Sequence, residues 1–181
     1  GTSIEGSTIL IAGGLGCFEP RKPMIGNITD FEDRGVEYII RDPEFYRGKR
    51  VIIGGGGDSA LDWTIVLADI ASEVTLVHRS QSFRAAPDSV SKAQALADAG
   101  KIRMHTDAQV AGLIGDGQLQ RVVVERNDKS TFEMDVDHFI PLFGLSPKLG
   151  PIADWGLSLD KNAINVDPTT YRTNVEGIYA V

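Results

Sequence analysis

A run of glycines followed by a spaced basic cluster carries the residues best suited to chemistry in this chain. Val51 to Trp63 reads VIIGGGGDSALDW, an apolar β-type stretch, a glycine-rich turn and a helix start. Glycines at such a turn let main chain approach an anion, and the N–H groups of the helix start face it at the positive end of the helix dipole. This is the local architecture of a dinucleotide pyrophosphate site. The preferred register is Gly55-x-Gly57-x-x-Ala60, with Gly56 inside it. Gly55 makes the tight turn, Gly57 lets the pyrophosphate approach, and Ala60 is small enough for helix to pack on strand. The other register, Gly54-x-Gly56-x-x-Ser59, is less favoured because Ala packs there more easily than Ser. N–H groups near Asp58 and Ser59 are expected to face the phosphates. The Asp58 carboxylate would repel an anion, and is expected to turn aside and cap the helix.

A second β-type run, SEVTLV, ends in His78-Arg79 and is followed by Arg84. At this point a site for NAD places an acidic residue against the ribose 2′-hydroxyl. Cations stand there instead, and a guanidinium is a permanent charge with several donors for a 2′-phosphate. His78, Arg79 and Arg84 therefore point to NADP(H), with Ser80 and Ser82 as neutral helpers. Gly144, closing a later buried strand, is assigned to the same site. His105 and His138 fall within strand patterns and read as structural, and no metal site is expected. The sequence shows no acid, base or nucleophile constellation. A chain that holds NADP without such groups suits hydride delivery to another cofactor.

These residues need a strand–helix alternation to position them. Strands are expected at Arg50 to Ile53, Val74 to Val77 and Ile102 to His105, and helices at Asp58 to Ala71 and Pro87 to Ala99. That order implies parallel pairing with right-handed crossovers. Gln109 to Ile114, a turn at Gly115-Asp116-Gly117, Leu119 to Glu125 and Thr131 to Met134 read as an antiparallel meander, followed by a buried strand at Val136 to Leu142. The fold class is α/β, a Rossmann-like parallel sheet with flanking helices and a three-stranded antiparallel meander. Before it come a short buried strand at Thr8 to Ala12, a loop through FEPRKPMIGN, a strand at Val36 to Ile40 and one helical turn after Asp42-Pro43. Short β stretches at Ala163 to Val166 and Ile178 to Val181 come last. The expected organisation is a connector over 1–48, a nucleotide-binding core over 49–144 and a second connector over 145–181.

Composition bounds the function. The net charge of −7 argues against nucleic acid as partner, since phosphate backbones select basic surfaces. No apolar run approaches the length of a membrane span. The single cysteine, Cys17, excludes an internal dithiol and suits a reducing, cytoplasmic setting. The apolar close GIYAV reads as a strand cut from a longer protein.

VIIGGGGDSALDW followed by VTLVHRSQSFRA closely resembles the NADPH domain of thioredoxin-reductase-like flavoproteins, and more narrowly the bacterial ferredoxin–NADP reductases of that type. GGxxSAxDW and GCFEPRKP, residues 16–23, are the specific points. The resemblance implies a domain inserted into an FAD domain that this chain lacks, with FAD and ferredoxin as cofactor and partner of the parent protein and a homodimeric parent. IAGGLG, residues 11–16, is similar to one connecting segment, with Gly13 where Thr is usual, and Phe18 matches an aromatic that touches the flavin. The stretch before the glycine strand, VEYIIRDPEFYRGKR, has no Cys-x-x-Cys, unlike the disulfide-reducing members. Ser80 stands where the family's second Arg is usual, leaving Arg79 and Arg84 as the clamp. Two alternatives stay open: a flavin disulfide or thiol reductase, and a non-catalytic NADP(H)-sensing module.

Overall fold

The structure, a computed structural model, describes residues 5–13, 17–160 and 163–181. Along the chain come β1 (Ile9–Ile11), β2 (Cys17–Pro20), β3 (Arg50–Gly54), α1 (Asp58–Leu67), β4 (Glu73–Val77), α2 (Pro87–Asp98) and β5 (Arg103–His105). Then follow β6 (Ala108–Gly115), β7 (Leu119–Arg126), β8 (Thr131–Asp135), β9 (His138–Pro141), β10 (Leu145–Lys148), β11 (Leu159–Asp160), β12 (Ala163–Ile164) and β13 (Ile178–Ala180). The chain divides into two compact units, Pro20–Gly144 and Gly1–Glu19 with Leu145–Val181.

The unit Pro20–Gly144 is built on a parallel sheet of order β5-β4-β3-β9. Strand β3 lies inside it and is buried on both faces, which is why its sequence is a continuous apolar run. Val51 and Ile53 pack with Leu61, Leu67 and Ala93 of the two helices. Ile52 points the other way, into a core with Val110, Leu113, Val122, Val124 and Phe139. The meander β6-β7-β8 thus covers the face that the helices leave open. Its first hairpin closes through Asp116-Gly117-Gln118 with Gly117 at φ +70°, a three-residue turn of common type. The α/β class and the meander agree with expectation.

Arg50 and Asp137 fix the register where β3 and β9 begin. The Asp137 carboxylate accepts from the Arg50 main-chain N–H at 2.8 Å and from its Nη2 at 2.7 Å. The Asp137 N–H returns a bond to the Arg50 carbonyl at 2.9 Å. The guanidinium holds the Asp137 carboxyl below its ordinary range.

Four expectations change. The helix after the glycines ends at Leu67, short of Ala71, because Ile70 O accepts from Gly48 N and Ser72 N donates to Lys49 O, so the chain must leave the helix to meet β3. Val36 to Ile40 forms no strand; Val36 makes only isolated parallel bridges, to Glu32 and Phe139, while the Tyr38 hydroxyl bonds Glu32 and the Glu37 carboxylate bonds His138. Part of FEPRKPMIGN is strand, since β2 pairs with β10. In the other unit β1 pairs in parallel with β13, but Ile9 and Leu10 are 45% and 62% exposed, so this strand is not buried. The helical turn after Asp42 forms at Pro43–Tyr46, with Asp42 accepting from Glu44 N.

Asp137→Asn should destabilise the fold by about 1 kcal/mol at pH 7, a modest figure because the paired side chains are 39% and 38% exposed. A carboxyl depressed by folding contributes stability above its unfolded pKa and loses it as pH falls through its folded value. The gap between wild type and variant in urea melts should therefore narrow as pH falls below the ordinary carboxylate range, about pH 4. A gap that persists undiminished at pH 2 would refute the charged clamp.

Candidate functional site

Sheet order brings the carboxyl ends of β3, β4 and β9 to one edge, where open α/β sheets hold ligands. Gly55 leaves β3 with φ +147° and donates its N–H to Val77 O at 3.1 Å. A Cβ at Gly55 would lie 2.7 Å from Leu142 O and 2.9 Å from the Ala60 Cβ. Ala60 is fully buried against this turn, whereas Ser59 is exposed. A Cβ at Gly57 would meet nothing within 4 Å. Close contact at Gly55 and Ala60 with open space at Gly57 is the steric pattern of Gly55-x-Gly57-x-x-Ala60. In the other register the approach position would be Gly56, and the His78 ring fills that space.

Gly57 directly precedes helix α1 as its N-cap, and its carbonyl accepts from Ala60 N and Leu61 N. Among the described residues, the N–H groups of Gly57, Asp58 and Ser59 have no acceptor. Such donors at a helix start form a ready anion cradle. Asp58 does not cap this helix as expected. Its Oδ1 accepts from Ala86 N at 2.7 Å, so it ties α1 to the start of α2. Ala86 directly precedes α2 and offers an N–H without a helical partner, which outcompetes the carboxylate's own helix.

His78 follows β4, with its main chain held between His105 O and Ala108 N. Its ring stacks on Phe83, with centroids 4.9 Å apart and planes 26° apart. The Arg84 main-chain N–H donates to Gly56 O at 2.8 Å. The side chains of Arg79 and Arg84 are exposed, and neither has a carboxylate within 4 Å among the described residues. Ser80 Oγ accepts from Ser82 N at 3.2 Å and lies 3.2 Å from Ser82 Oγ, so the two serines face each other. Gly144 follows β9 with φ +88°, and its carbonyl accepts from Arg21 N at 3.0 Å. The Phe18 expectation concerns a side chain outside the described residues, as does Cys17, and Gly14 to Gly16 lie outside them altogether. Phe83 and the Leu142 carbonyl were missed in the sequence; an aromatic amid a basic segment was the one available signal.

His105 is half-buried beside Arg126 and Arg103, and burial first, then these charges, pushes its pKa down. His138 is buried and bonds Glu37 through Nδ1 at 2.9 Å, consistent with a structural role.

The profile of the family described as pyridine nucleotide-disulphide oxidoreductase matches residues 1–181. The chain belongs to this family. It is 59% identical over 184 residues to ferredoxin–NADP reductase 2 of Christiangramia forsetii, with all of this chain and 52% of that protein covered. Ferredoxin–NADP reductase of Flavobacterium johnsoniae is 54% identical over 182 residues, with the same shares covered. The chain spans about half the length of the curated relatives it matches. Among solved structures, Lactococcus lactis thioredoxin reductase superposes with a TM-score of 0.78 at 28% identity, covering 96% of this chain and 56% of that one. The fold is thus of the thioredoxin-reductase-like type. No helix among the described residues is long and apolar enough to cross a membrane.

Ala60→Leu should cost about 1–3 kcal/mol in denaturant melts by overpacking the Gly55 turn. Ser59→Ala, on the exposed face, should stay within about 0.5 kcal/mol. Equal effects at the two positions would overturn the register.

Proposed function

We propose that this chain is the NADP(H)-binding part of an FAD-dependent ferredoxin–NADP reductase, presenting the nicotinamide to flavin. The observation that carries the reading is the cradle at Gly57, where a Cβ would meet open space and N–H groups of the helix start lack acceptors. These features fit a pyrophosphate. Gly55, Gly56, Gly57, Asp58, Ser59 and Ala60 form this cradle, through main-chain donors and close packing. Arg79 and Arg84 supply two guanidiniums that have no carboxylate partner among the described residues, for the 2′-phosphate, and Gly144 bounds the site on the β9 side. When bound, the nicotinamide exchanges a hydride with flavin; the chain's own work is to bind and orient it.

The names of the relatives support ferredoxin as the electron partner of the whole protein, and family membership supports FAD as its second cofactor. Phe18 is assigned to the flavin side, and the whole protein is assigned a homodimeric state in the cytoplasm. The stretch before the glycine strand, VEYIIRDPEFYRGKR, carries no Cys-x-x-Cys, which favours ferredoxin over a dithiol held at that place.

Arg79→Ala with Arg84→Ala should weaken NADP⁺ by roughly 1.5–3 kcal/mol per lost contact, while NAD⁺ affinity changes little. Calorimetry showing equal losses for both cofactors would reject the 2′-phosphate role. In the full-length protein, reduced ferredoxin should support NADP⁺ reduction and small disulfides should not be turned over with NADPH. The opposite result would assign the protein to the thiol reductases.

A further inference from the structure

The preferred register, Gly55-x-Gly57-x-x-Ala60, gives Gly56 no role of its own. Its surroundings are specific. A Cβ there would overlap the His78 ring, so the ring lies directly on the Gly56 backbone. His78 Nε2 is 3.1 Å from Ser82 O, and only the tautomer with its proton on Nε2 makes that bond. The same ring stacks on Phe83, with centroids 4.9 Å apart. The next residue, Arg84, donates its main-chain N–H to Gly56 O at 2.8 Å. Ser80 and Ser82 close the interior of the segment between Arg79 and Arg84. One ring therefore touches the glycine turn, the Ser82 carbonyl and Phe83 together.

We propose that His78 is a positioning residue that fastens the arginine-bearing segment 79–84 to the glycine turn, and that Gly56 is glycine to admit its ring. The inference rests on the NADP(H) reading and assigns His78 a different task within it. Its Nε2 is committed to a main-chain carbonyl, and its ring to contacts with Gly56 and Phe83. The ring thus sets the distance between a pyrophosphate cradle and two exposed guanidiniums. Without it, the long arginine side chains would start from a loop that must be ordered at the moment of binding, and that ordering opposes affinity. NAD⁺ uses the cradle alone and should be indifferent to the loop. Specificity for the 2′-phosphate then depends on a residue that does not touch it.

The test is a double-mutant cycle on the full chain, with NADP⁺ and NAD⁺ titrated separately by calorimetry. His78→Ala should weaken NADP⁺ about tenfold, as lost supporting contacts commonly do, and NAD⁺ less than about twofold. Gly56→Ala should likewise weaken NADP⁺ in the wild-type background by displacing the ring. In the His78→Ala background it should add nothing, because the space is vacant. His78→Gln, which keeps a donor at the Nε2 position, should recover part of the loss. If Gly56→Ala costs the same in both backgrounds, Gly56 serves ligand approach directly and the inference is overturned. If His78→Ala weakens both nucleotides equally, the ring merely stabilises the turn, and the inference again falls. Failure of the underlying reading looks different: Arg79→Ala with Arg84→Ala would then leave NADP⁺ binding unchanged, whatever His78 does.

Discussion

The lack of room for a side chain at Gly55 joins the three elements on which the site stands. Its Cα lies against the Leu142 carbonyl beyond β9 and the Ala60 methyl in α1, while its N–H holds Val77 at the end of β4. Strand β3 can end and α1 can begin within three residues only because this contact is so close. The same closeness aims the first turn of α1 outward, leaving donors at Gly57, Asp58 and Ser59 without acceptors among the described residues. A helix start with free N–H groups is common; one anchored to two neighbouring strands is held in place before any ligand arrives.

The acidic side chain nearest those donors in sequence is managed by a tertiary contact. Asp58 bonds Ala86 N, so its charge serves the start of α2 and links the two helices that cover one sheet face. The chain as a whole carries a net charge of −7. An anion site in such a molecule needs local cations, and the segment after β4 supplies them without adjoining carboxylates. That matters more than the number of arginines. A carboxylate paired with Arg79 or Arg84 would gain little at an exposed position, yet an incoming phosphate would have to displace it.

Much of this was legible in the sequence because it is local. The β3 run, the glycine turn, the small residue at Ala60, the β4 run ending at His78 and the Gly-closed hairpin all follow from spacing and turn chemistry within a dozen residues. What was not legible depends on partners far along the chain. The bond from Ala86 to Asp58 spans 28 positions, and no local pattern announces it. The early end of α1 is set by Gly48 and Lys49, which precede β3. Val36 reads as part of a strand because it is apolar and buried, but isolated bridges to Glu32 and Phe139 take the place of a ladder. Exposure of Ile9 and Leu10 shows the limit of reading burial from hydrophobicity, since a two-stranded pairing leaves faces uncovered.

The two core clusters explain why this site can be rigid while its cations remain exposed. Val51, Ile53, Val74 and Leu76 pack under the helices, and Ile52 and Val77 pack under the meander. Strand ends carrying the glycine turn and His78 are therefore clamped from both sides, so their carboxyl termini have little freedom. Arg79 and Arg84 begin where that clamp stops. Their main chain is still tied, through Arg84 N to Gly56 O, but their side chains extend into solvent. Such an arrangement separates two demands that conflict in a single element. The backbone must be ordered in advance to avoid a loss on binding, and the guanidiniums must stay hydrated until a phosphate replaces that water. Placing the order in the sheet and the charge on the loop beyond it meets both demands.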